Sequence, residues 1–189
     1  MGRAFGVMLV QQDGVIVEVA TFRSDGEYTD KRRPDAVTFG DEVADAQRRD
    51  FTINALFLDP LDGSGDEGSR RGELVPTRVI DHVGGVADLG RRRIRAVGEA
   101  RDRLSEDHLR ALRAIRFACR LQFAIEDETR RASSEEAAAL DGVSRERIGD
   151  EVRKMLGDGS RKRAAVVMED LGLDAPVLGA RAGTAGASE

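Results

Sequence analysis

The sequence has no tryptophan, one tyrosine and seven phenylalanines among 189 residues. Stacking of bases on an aromatic sheet, a common mode of single-strand binding, is therefore poorly supported. A single cysteine, Cys119, excludes an internal disulfide and a cysteine-based zinc site, and makes a reducing cytoplasm the default compartment. No run is long and apolar enough to span a bilayer, and no secretory signal is read at the start, so no membrane partner is expected. Positive charge is not in excess either: the net charge of −5 argues against a general binder of polyanions. What is present is a hydrophobic fraction of 40%, enough for a real core, in a length that suits one ordinary domain or two small ones. There are no internal repeats.

The arginines are unevenly spread. Arg91, Arg92, Arg93, Arg95, Arg101, Arg103, Arg110, Arg113, Arg116 and Arg120 fall in one short stretch, which predicts a local basic face on an acidic protein. Inside it lies Ser105-Glu106-Asp107-His108-Leu109-Arg110-Ala111-Leu112-Arg113-Ala114-Ile115-Arg116-Phe117. This reads as a helix with Ser105 as N-cap and Glu106 and Asp107 in the first turn, where the helix dipole favours negative charge. Leu109, Leu112, Ile115 and Cys119 recur at three- and four-residue spacing and predict a buried stripe. The other side collects Glu106, Asp107, Arg110, Arg113 and Arg116.

Two readings of that side are open. One is a surface helix with intrahelical ion pairs, each contributing about 0.3–0.5 kcal/mol. The other is a fork that recognises a base, because a carboxylate only accepts hydrogen bonds and a guanidinium only donates them. Cytosine and adenine each offer an amino donor beside a ring-nitrogen acceptor, which suits an Asp and an Arg side by side. Uracil and guanine offer the reverse order and would leave the charges unsatisfied.

Along the chain, residues 5–10 and 15–22 are β-branched and apolar around Gln11-Gln12-Asp13-Gly14, a β-hairpin pattern. Glu18 interrupts the second strand, either as a solvent-facing residue or as a carboxylate aimed at a metal. Residues 23–37 contain Gly26, Pro34 and the basic Arg23, Lys31, Arg32 and Arg33, and read as a mobile loop. Residues 41–47 form a short acidic helix. In Arg48-Arg49-Asp50-Phe51-Thr52-Ile53-Asn54-Ala55-Leu56, Asp50 and Asn54 are four apart. Both can face one way from a helical turn, with Phe51 and Leu56 buried behind. Paired arginines suit phosphate oxygens, which guanidinium binds bidentately. Asp50 and Asn54 could then read a ribose hydroxyl; an ordinary exposed turn is the other reading.

Residues 61–76 read as a surface loop and Val79-Ile80 as a short strand. Asp81-His82-Val83-Gly84-Gly85-Val86-Ala87-Asp88-Leu89 carries a glycine pair that permits a sharp backbone change before a helix, as a hinge requires. His82 and His108 lack a third ligand at metal-binding spacing and read as structural. From Arg101 the pattern is helical throughout. Helical segments follow at 126–140, at 144–156 with Ser144 as cap and Ile148, Val152 and Met155 on one face, and at 161–171 with Ala165, Val166 and Met168 as core candidates. Residues 175–189 read as a frayed tail. The outline is a small α/β unit to about residue 80, then an all-helical unit.

Together these stretches resemble the bacterial (class II) CCA-adding tRNA nucleotidyltransferases and their relatives, the bacterial poly(A) polymerases. Residues 48–56 are similar to that family's ribose- and phosphate-contacting motif, and residues 81–89 to its hinge motif. Glu106-Asp107-x-x-Arg110, continuing to Arg113 and Arg116, resembles its base-selecting motif. Ser144-Arg145-Glu146-Arg147-Ile148 resembles the neck motif that braces that helix. The resemblance covers roughly residues 3–156 of the sequence.

The resemblance implies an α+β fold with a partial polymerase-β-type head at 1–80, a helical, nucleotide-selecting and RNA-binding neck at 81–160, and the start of a body with its tail at 161–189. It implies template-independent addition of C and A to the tRNA 3′ end from CTP and ATP, with Mg2+ as cofactor in the complete enzyme. A poly(A) polymerase and a non-catalytic RNA- or nucleotide-binding remnant are the alternatives. By position, Arg49 would hold the triphosphate, Asp50 and Asn54 the sugar, and Asp107 and Arg110 the base edge, with Arg48 and Glu106 counted among the nucleotide-binding residues beside them. Arg113 and Arg116 would support that edge or meet phosphate, and Asp81, Gly84, Gly85 and Asp88 would form the hinge.

The family also places a Gly-Gly-x-x-x-Arg-Asp phosphate turn and an Asp-x-Asp metal pair before the hairpin, and neither occurs in this sequence. Most of the C-terminal body is missing as well. Glu18 is left as the one acidic candidate on the first strands, and one carboxylate cannot hold two hard divalent ions. The expectation is that Met1 is an internal or misassigned start or that the gene is truncated, so that an inner strand lacks its neighbour. The chain by itself is then expected to incorporate neither CTP nor ATP.

Overall fold

The structure is a computed structural model that describes residues 7–24, 38–59, 79–157 and 159–179. The predicted loop at 61–76, residues 25–37 of the other predicted loop, the first residues of the hairpin and the tail beyond 179 lie outside the described residues. The chain divides into two units. One comprises Met1–Arg49 and Ala55–Val83, the other Asp50–Asn54 and Gly84–Glu189.

In the first unit, β1 (Val7–Gln12) and β2 (Val15–Ala20) pair antiparallel, Val7 opposite Ala20 and Gln12 opposite Val15. Between them Asp13 (φ 51°) and Gly14 (φ 80°) are both left-handed. That is the type I′ geometry whose twist matches paired strands, and it confirms the hairpin read from the sequence. β3 (Arg23–Ser24) pairs with β4 (Thr38–Phe39), so the segment predicted as loop begins as strand. The expected acidic helix is α1 (Glu42–Gln47), capped by Asp41, whose Oδ1 accepts from the Ala44 N–H at 2.8 Å. β5 (Leu56–Leu58) pairs antiparallel with β6 (Val79–Asp81). Leu56, predicted to be buried, is only half-buried because it opens this two-stranded edge rather than continuing the preceding turn. Phe57 on β5 meets the Phe22 ring edge-on, centroids 5.5 Å apart.

The second unit is mainly helical. α2 (Gly85–Gly90) follows Gly84, whose φ of 84° is costly for residues with a Cβ. β7 (Arg93–Ile94) pairs in parallel with β8 (Ala124–Ile125), a two-residue pair inside the helical unit. Then come α3 (Ala100–Glu106), α4 (Leu109–Leu121), α5 (Asp127–Glu135), a 3-10 segment at Ala137–Gly142, α6 (Arg145–Leu156), α7 (Arg161–Asp170) and α8 (Asp174–Leu178). Leu109, Leu112, Ile115 and Cys119 are buried together with Leu104, Leu140, Ile148, Met155, Leu171 and Leu173, as the α4 stripe predicts.

Three helix expectations need correction. No helix starts at Ser105: the residue lies in the last turn of α3, and its hydroxyl donates to the Asp102 carbonyl at 2.9 Å. The chain breaks at Asp107 (φ −150°, ψ 100°), and Asp107 Oδ1 accepts from the Leu109 N–H at 3.2 Å, so the aspartate does the capping. On α7 the core face is Ala164, Val167 and Met168, continuing to Leu171; Ala165 and Val166 are exposed. Met168 is where it was expected, whereas Ala164 and Val167 take the places expected of Ala165 and Val166. Part of the expected tail is α8, which ends at Gly179 (φ 72°). The Ser144 cap stands, its hydroxyl accepting from the Arg147 N–H at 3.4 Å.

Asp50–Asn54 belongs with the second unit although its sequence neighbours do not. Phe51 is fully buried with Ile94, Ala114 and Ala118. The Thr52 N–H donates to the Arg95 carbonyl at 3.0 Å and the Val97 N–H to the Asp50 carbonyl at 3.2 Å. Among the described residues no helix is long and apolar enough to cross a membrane.

Candidate nucleotide-binding site

In the first unit, the paired arginines share one acid. The α1 helix ends at Gln47, which puts Asp45 one turn before Arg48 and Arg49. Asp45 Oδ2 accepts Arg49 Nε at 2.9 Å and Nη2 at 2.7 Å, and Oδ1 accepts Arg48 Nε at 2.9 Å. Burial pushes the Asp45 carboxyl up, but the hydrogen bonds and charges of Arg49 and Arg48 outweigh it and leave the group below the usual carboxylate range. The Arg49 guanidinium also lies 5.3 Å from the Phe57 ring centroid.

In the second unit, Asp50 Oδ1 accepts from its neighbour's Phe51 N–H at 2.8 Å and from Asn54 Nδ2 at 3.1 Å. Asp50 and Asn54 therefore do face one way, as their spacing predicts. The other oxygen, Oδ2, accepts Arg113 Nε at 2.8 Å from α4. Phe117 packs edge-on against Phe51 at 5.9 Å, and the Arg113 and Arg116 guanidiniums lie 5.5 and 4.3 Å from its ring centroid. Arg116 Nε donates to Glu151 Oε2 at 2.7 Å, and Lys154 Nζ to Oε1 at 2.7 Å. Burial again pushes the nearly inaccessible Glu151 up, and Lys154 and Arg116 more than offset it, so its carboxyl sits low.

The expected fork is divided. Arg110 Nη1 donates to Glu106 Oε2 at 2.6 Å and to the Arg103 carbonyl at 2.5 Å, the i,i+4 pair expected from sequence. Asp107, expected on the same helical face, sits at the break before α4 instead. Its Oδ2 accepts Arg147 Nη2 from α6 at 2.7 Å. An extended backbone at Asp107 swings its side chain off the α4 spiral, which a continuous helix from Ser105 could not do.

In the expected hinge, Asp81 Oδ1 accepts from the Val83 N–H at 3.1 Å. A Cβ on Gly84 would come within 3.0 Å of Arg95 Nη2, so both conformation and space favour glycine there. Gly85 opens α2 and is buried. Asp88, 1% exposed, receives Thr52 Oγ1 at 2.8 Å, Arg93 Nη2 at 2.7 Å and Arg95 Nε at 2.7 Å. Burial raises its pKa, and Thr52, Arg93 and Arg95 together bring it below the usual range. The predicted basic face is largely answered by acids: Arg93 and Arg95 meet Asp88, Arg101 meets Glu135, Arg103 and Arg110 meet Glu106, Arg113 meets Asp50 and Arg116 meets Glu151. His82 lies 3.2 Å from Glu42 and His108 3.2 Å from Glu136, consistent with structural histidines.

Glu18 is exposed on β2, opposite Leu9. Among the described residues no group of three or more His, Cys, Asp or Glu side chains could hold a metal ion. The donor set among the described residues therefore does not fit the two divalent ions that the resemblance implies. Sequence reasoning missed Asp45, Thr52, Arg147 and Glu151 as partners. Asp45 had a usable signal, its three- and four-residue spacing to Arg48 and Arg49. Glu151 had none, being 35 residues from Arg116.

The α+β fold, with an arginine pair, an Asp50–Asn54 turn and an arginine-bearing helix tied together by carboxylates, is matched by the nucleotidyltransferase class. The chain belongs to the family described as the poly A polymerase head domain, which matches residues 1–95, and residues 122–178 match a second family, the probable RNA and SrmB-binding site of polymerase A. It is 42% identical over 182 residues to the CCA-adding enzyme of Lactobacillus johnsonii, covering 95% of this chain and 42% of that one. It is 38% identical to the CCA-adding enzyme of Geobacillus stearothermophilus, covering 95% of this chain and 41% of the relative. Among solved structures, the Bacillus stearothermophilus CCA-adding enzyme in complex with CTP superposes with a TM-score of 0.76 at 35% identity, over 93% of this chain and 38% of that one. The chain thus spans about two fifths of the length of these relatives.

Proposed function

We propose that this chain carries the nucleotide-reading part of a template-independent nucleotidyltransferase that adds C and A to the tRNA 3′ end from CTP and ATP. One observation carries the reading: α4 holds Arg113 on Asp50, its first turn carries Arg110, fixed by Glu106 and the Arg103 carbonyl, and Asp107 caps its start. One short helix thus joins a donor fork and an acceptor to the turn assigned to ribose. The similarity to CCA-adding enzymes, one of them solved with CTP, supports the same assignment.

In this reading Asp107 accepts the amino hydrogen of cytosine or adenine and Arg110 donates to the adjacent ring nitrogen. Asp50 and Asn54 take the ribose hydroxyls, and Arg48 and Arg49 the triphosphate. The wrong bases present donor to donor and acceptor to acceptor, a mismatch that costs more than a missing bond. Mg2+ would supply charge stabilisation of the leaving pyrophosphate in the complete enzyme. Gly84, at a crossing between the two units, suits the hinge role together with Asp81, Gly85 and Asp88. A cytoplasmic location goes with a tRNA-processing role.

Titration of the chain with CTP, ATP, UTP and GTP by calorimetry tests this. CTP and ATP are expected to bind at least about tenfold more tightly than UTP and GTP. Equal binding of all four would sink the fork. The matched family description also favours a second reading, a poly(A) polymerase, which binding of ATP without CTP would support.

A further inference from the structure

Asp45 has no part in the reading above, yet its burial and its bonds are those of a built feature. It is 2% exposed, whereas the side chains of Arg48 and Arg49 are 31% and 40% exposed. Its oxygens are divided between them. Oδ1 takes Nε of Arg48 at 2.9 Å and Nη2 at 2.5 Å, together with the Arg23 N–H at 3.3 Å. Oδ2 takes Nε of Arg49 at 2.9 Å and Nη2 at 2.7 Å. Arg48 Nε also reaches the Arg23 carbonyl at 3.2 Å, which ties the cluster to β3.

We propose that Asp45 is the positioning residue of the triphosphate grip, fixing the planes of Arg48 and Arg49 through one shared carboxylate. The proposal rests on the phosphate role given above to those arginines. Each guanidinium is a planar fork of five donors, and Asp45 engages the Nε–Nη2 edge of both, so a single buried anchor sets two orientations. Two adjacent guanidiniums repel, and one carboxylate between them offsets that while leaving the cluster with a net positive charge for an anion. The anchor is rigid where the arginines are half in solvent, which is the arrangement that preorganises a binding group.

Asparagine in place of Asp45 keeps the shape but can accept at one end only. Its amide nitrogen would face the other guanidinium, donor against donor. Calorimetry of the chain with CTP and with ATP is the test. Asp45→Asn is expected to weaken both nucleotides alike, by about tenfold, since phosphate carries no base identity. Introduced into an Arg49→Ala background, it should add less than about twofold, because the amide's one oxygen can then serve Arg48, the guanidinium that remains.

Parent-like binding by Asp45→Asn, with Arg49→Ala weakened, overturns the positioning role alone. An equal loss from Asp45→Asn in both backgrounds overturns it too, marking a purely structural carboxylate. Arg49→Ala without effect overturns the phosphate role and this proposal with it. If Asp45→Asn fails to fold, Arg49→Lys decides: it keeps the charge but cannot be gripped as a fork, so it should lose nearly as much as Arg49→Ala. Parent-like binding by Arg49→Lys overturns the proposal.

Discussion

The two units treat their apolar residues in opposite ways. In the hairpin of the first, Leu9, Val15 and Ile16 are 72%, 61% and 64% exposed, and among the described residues neither face is covered. In the second, Leu104, Leu112, Ile115, Leu140 and Leu173 are fully buried in one cluster. The difference shows where precision is kept. The side chains proposed to read sugar and base, Asp50, Asn54, Asp107 and Arg110, all belong to the well-packed unit, and Asp50–Asn54 belongs there against the order of the sequence. Reading a base demands sub-ångström placement, which a packed core supplies and an open two-stranded hairpin does not.

Core truncation is the strongest way to break that contrast. Leu112→Ala removes a fully buried side chain from α4 and should lower the unfolding free energy of the second unit by about 2–5 kcal/mol. Ile16→Ala on the hairpin should change stability by no more than about 0.5 kcal/mol. Urea melts followed by helical circular dichroism measure the first, and hydrogen exchange of the β1 and β2 amides the second. Equal costs would erase the distinction between the units.

Next in size is the clasp on the Asp50–Asn54 segment. Asp88→Asn removes a buried charge that serves Thr52, Arg93 and Arg95, leaving two guanidiniums facing an amide. The expected loss is about 3 kcal/mol, with faster hydrogen exchange at the Thr52 amide than at Leu112. Unchanged exchange at Thr52 would mean that Phe51 alone anchors the segment.

Acid should sharpen the same comparison. Asp88, Glu126 and Glu151, all in the second unit, have depressed carboxyl pKa values: burial raises each, and it is overcome by Thr52, Arg93 and Arg95 at Asp88, by Thr129 at Glu126, and by Lys154 and Arg116 at Glu151. Depressed native values mean that the unfolded chain binds protons first as pH falls. The stabilisation is therefore complete above the ordinary carboxylate range near pH 4 and drains away as pH drops through the lower native values. A second-unit transition whose midpoint in urea is flat between about pH 5 and 3 would contradict those pairings.

Much of this was legible in the sequence because it rests on local rules. Two β-branched, apolar runs around a glycine-containing turn announced the hairpin, and three- and four-residue spacing announced the buried stripe of α4. What failed did so for tertiary reasons. Ser105 looked like a cap, but α3 begins five residues earlier and runs through it with its own hydrogen bonds satisfied. Ala165 and Val166 looked like core, but α7 packs through Ala164, Val167 and Met168, a phase set by where α4 and α6 present their grooves. The basic stretch looked like an open face because Glu151, Asp50 and Asp88 are too far away in sequence to be counted against it. The candidate site residues came from motifs, and of their anchors only those within a helical turn, Glu106 for Arg110 and Asp45 for Arg48 and Arg49, had a signal in the sequence.

The smallest effect expected separates stability from reading within one ion pair. Arg147 is 53% exposed and Asp107 31%, and they meet at 2.7 Å. Pairs this open to solvent contribute little, so Arg147→Ala should cost less than about 0.5 kcal/mol in a urea melt. Yet Asp107 keeps its second oxygen on the Leu109 N–H, which fixes the carboxylate at the head of α4 whether or not Arg147 is present. Removing the arginine therefore leaves the acceptor in place and strips a competing donor from it. Binding of CTP should change by no more than about twofold, equivalent to the same half kilocalorie, and preference over UTP should persist. Loss of that preference in Arg147→Ala, with the fold intact, would show that the α6 arginine, rather than the α4 cap, aims Asp107.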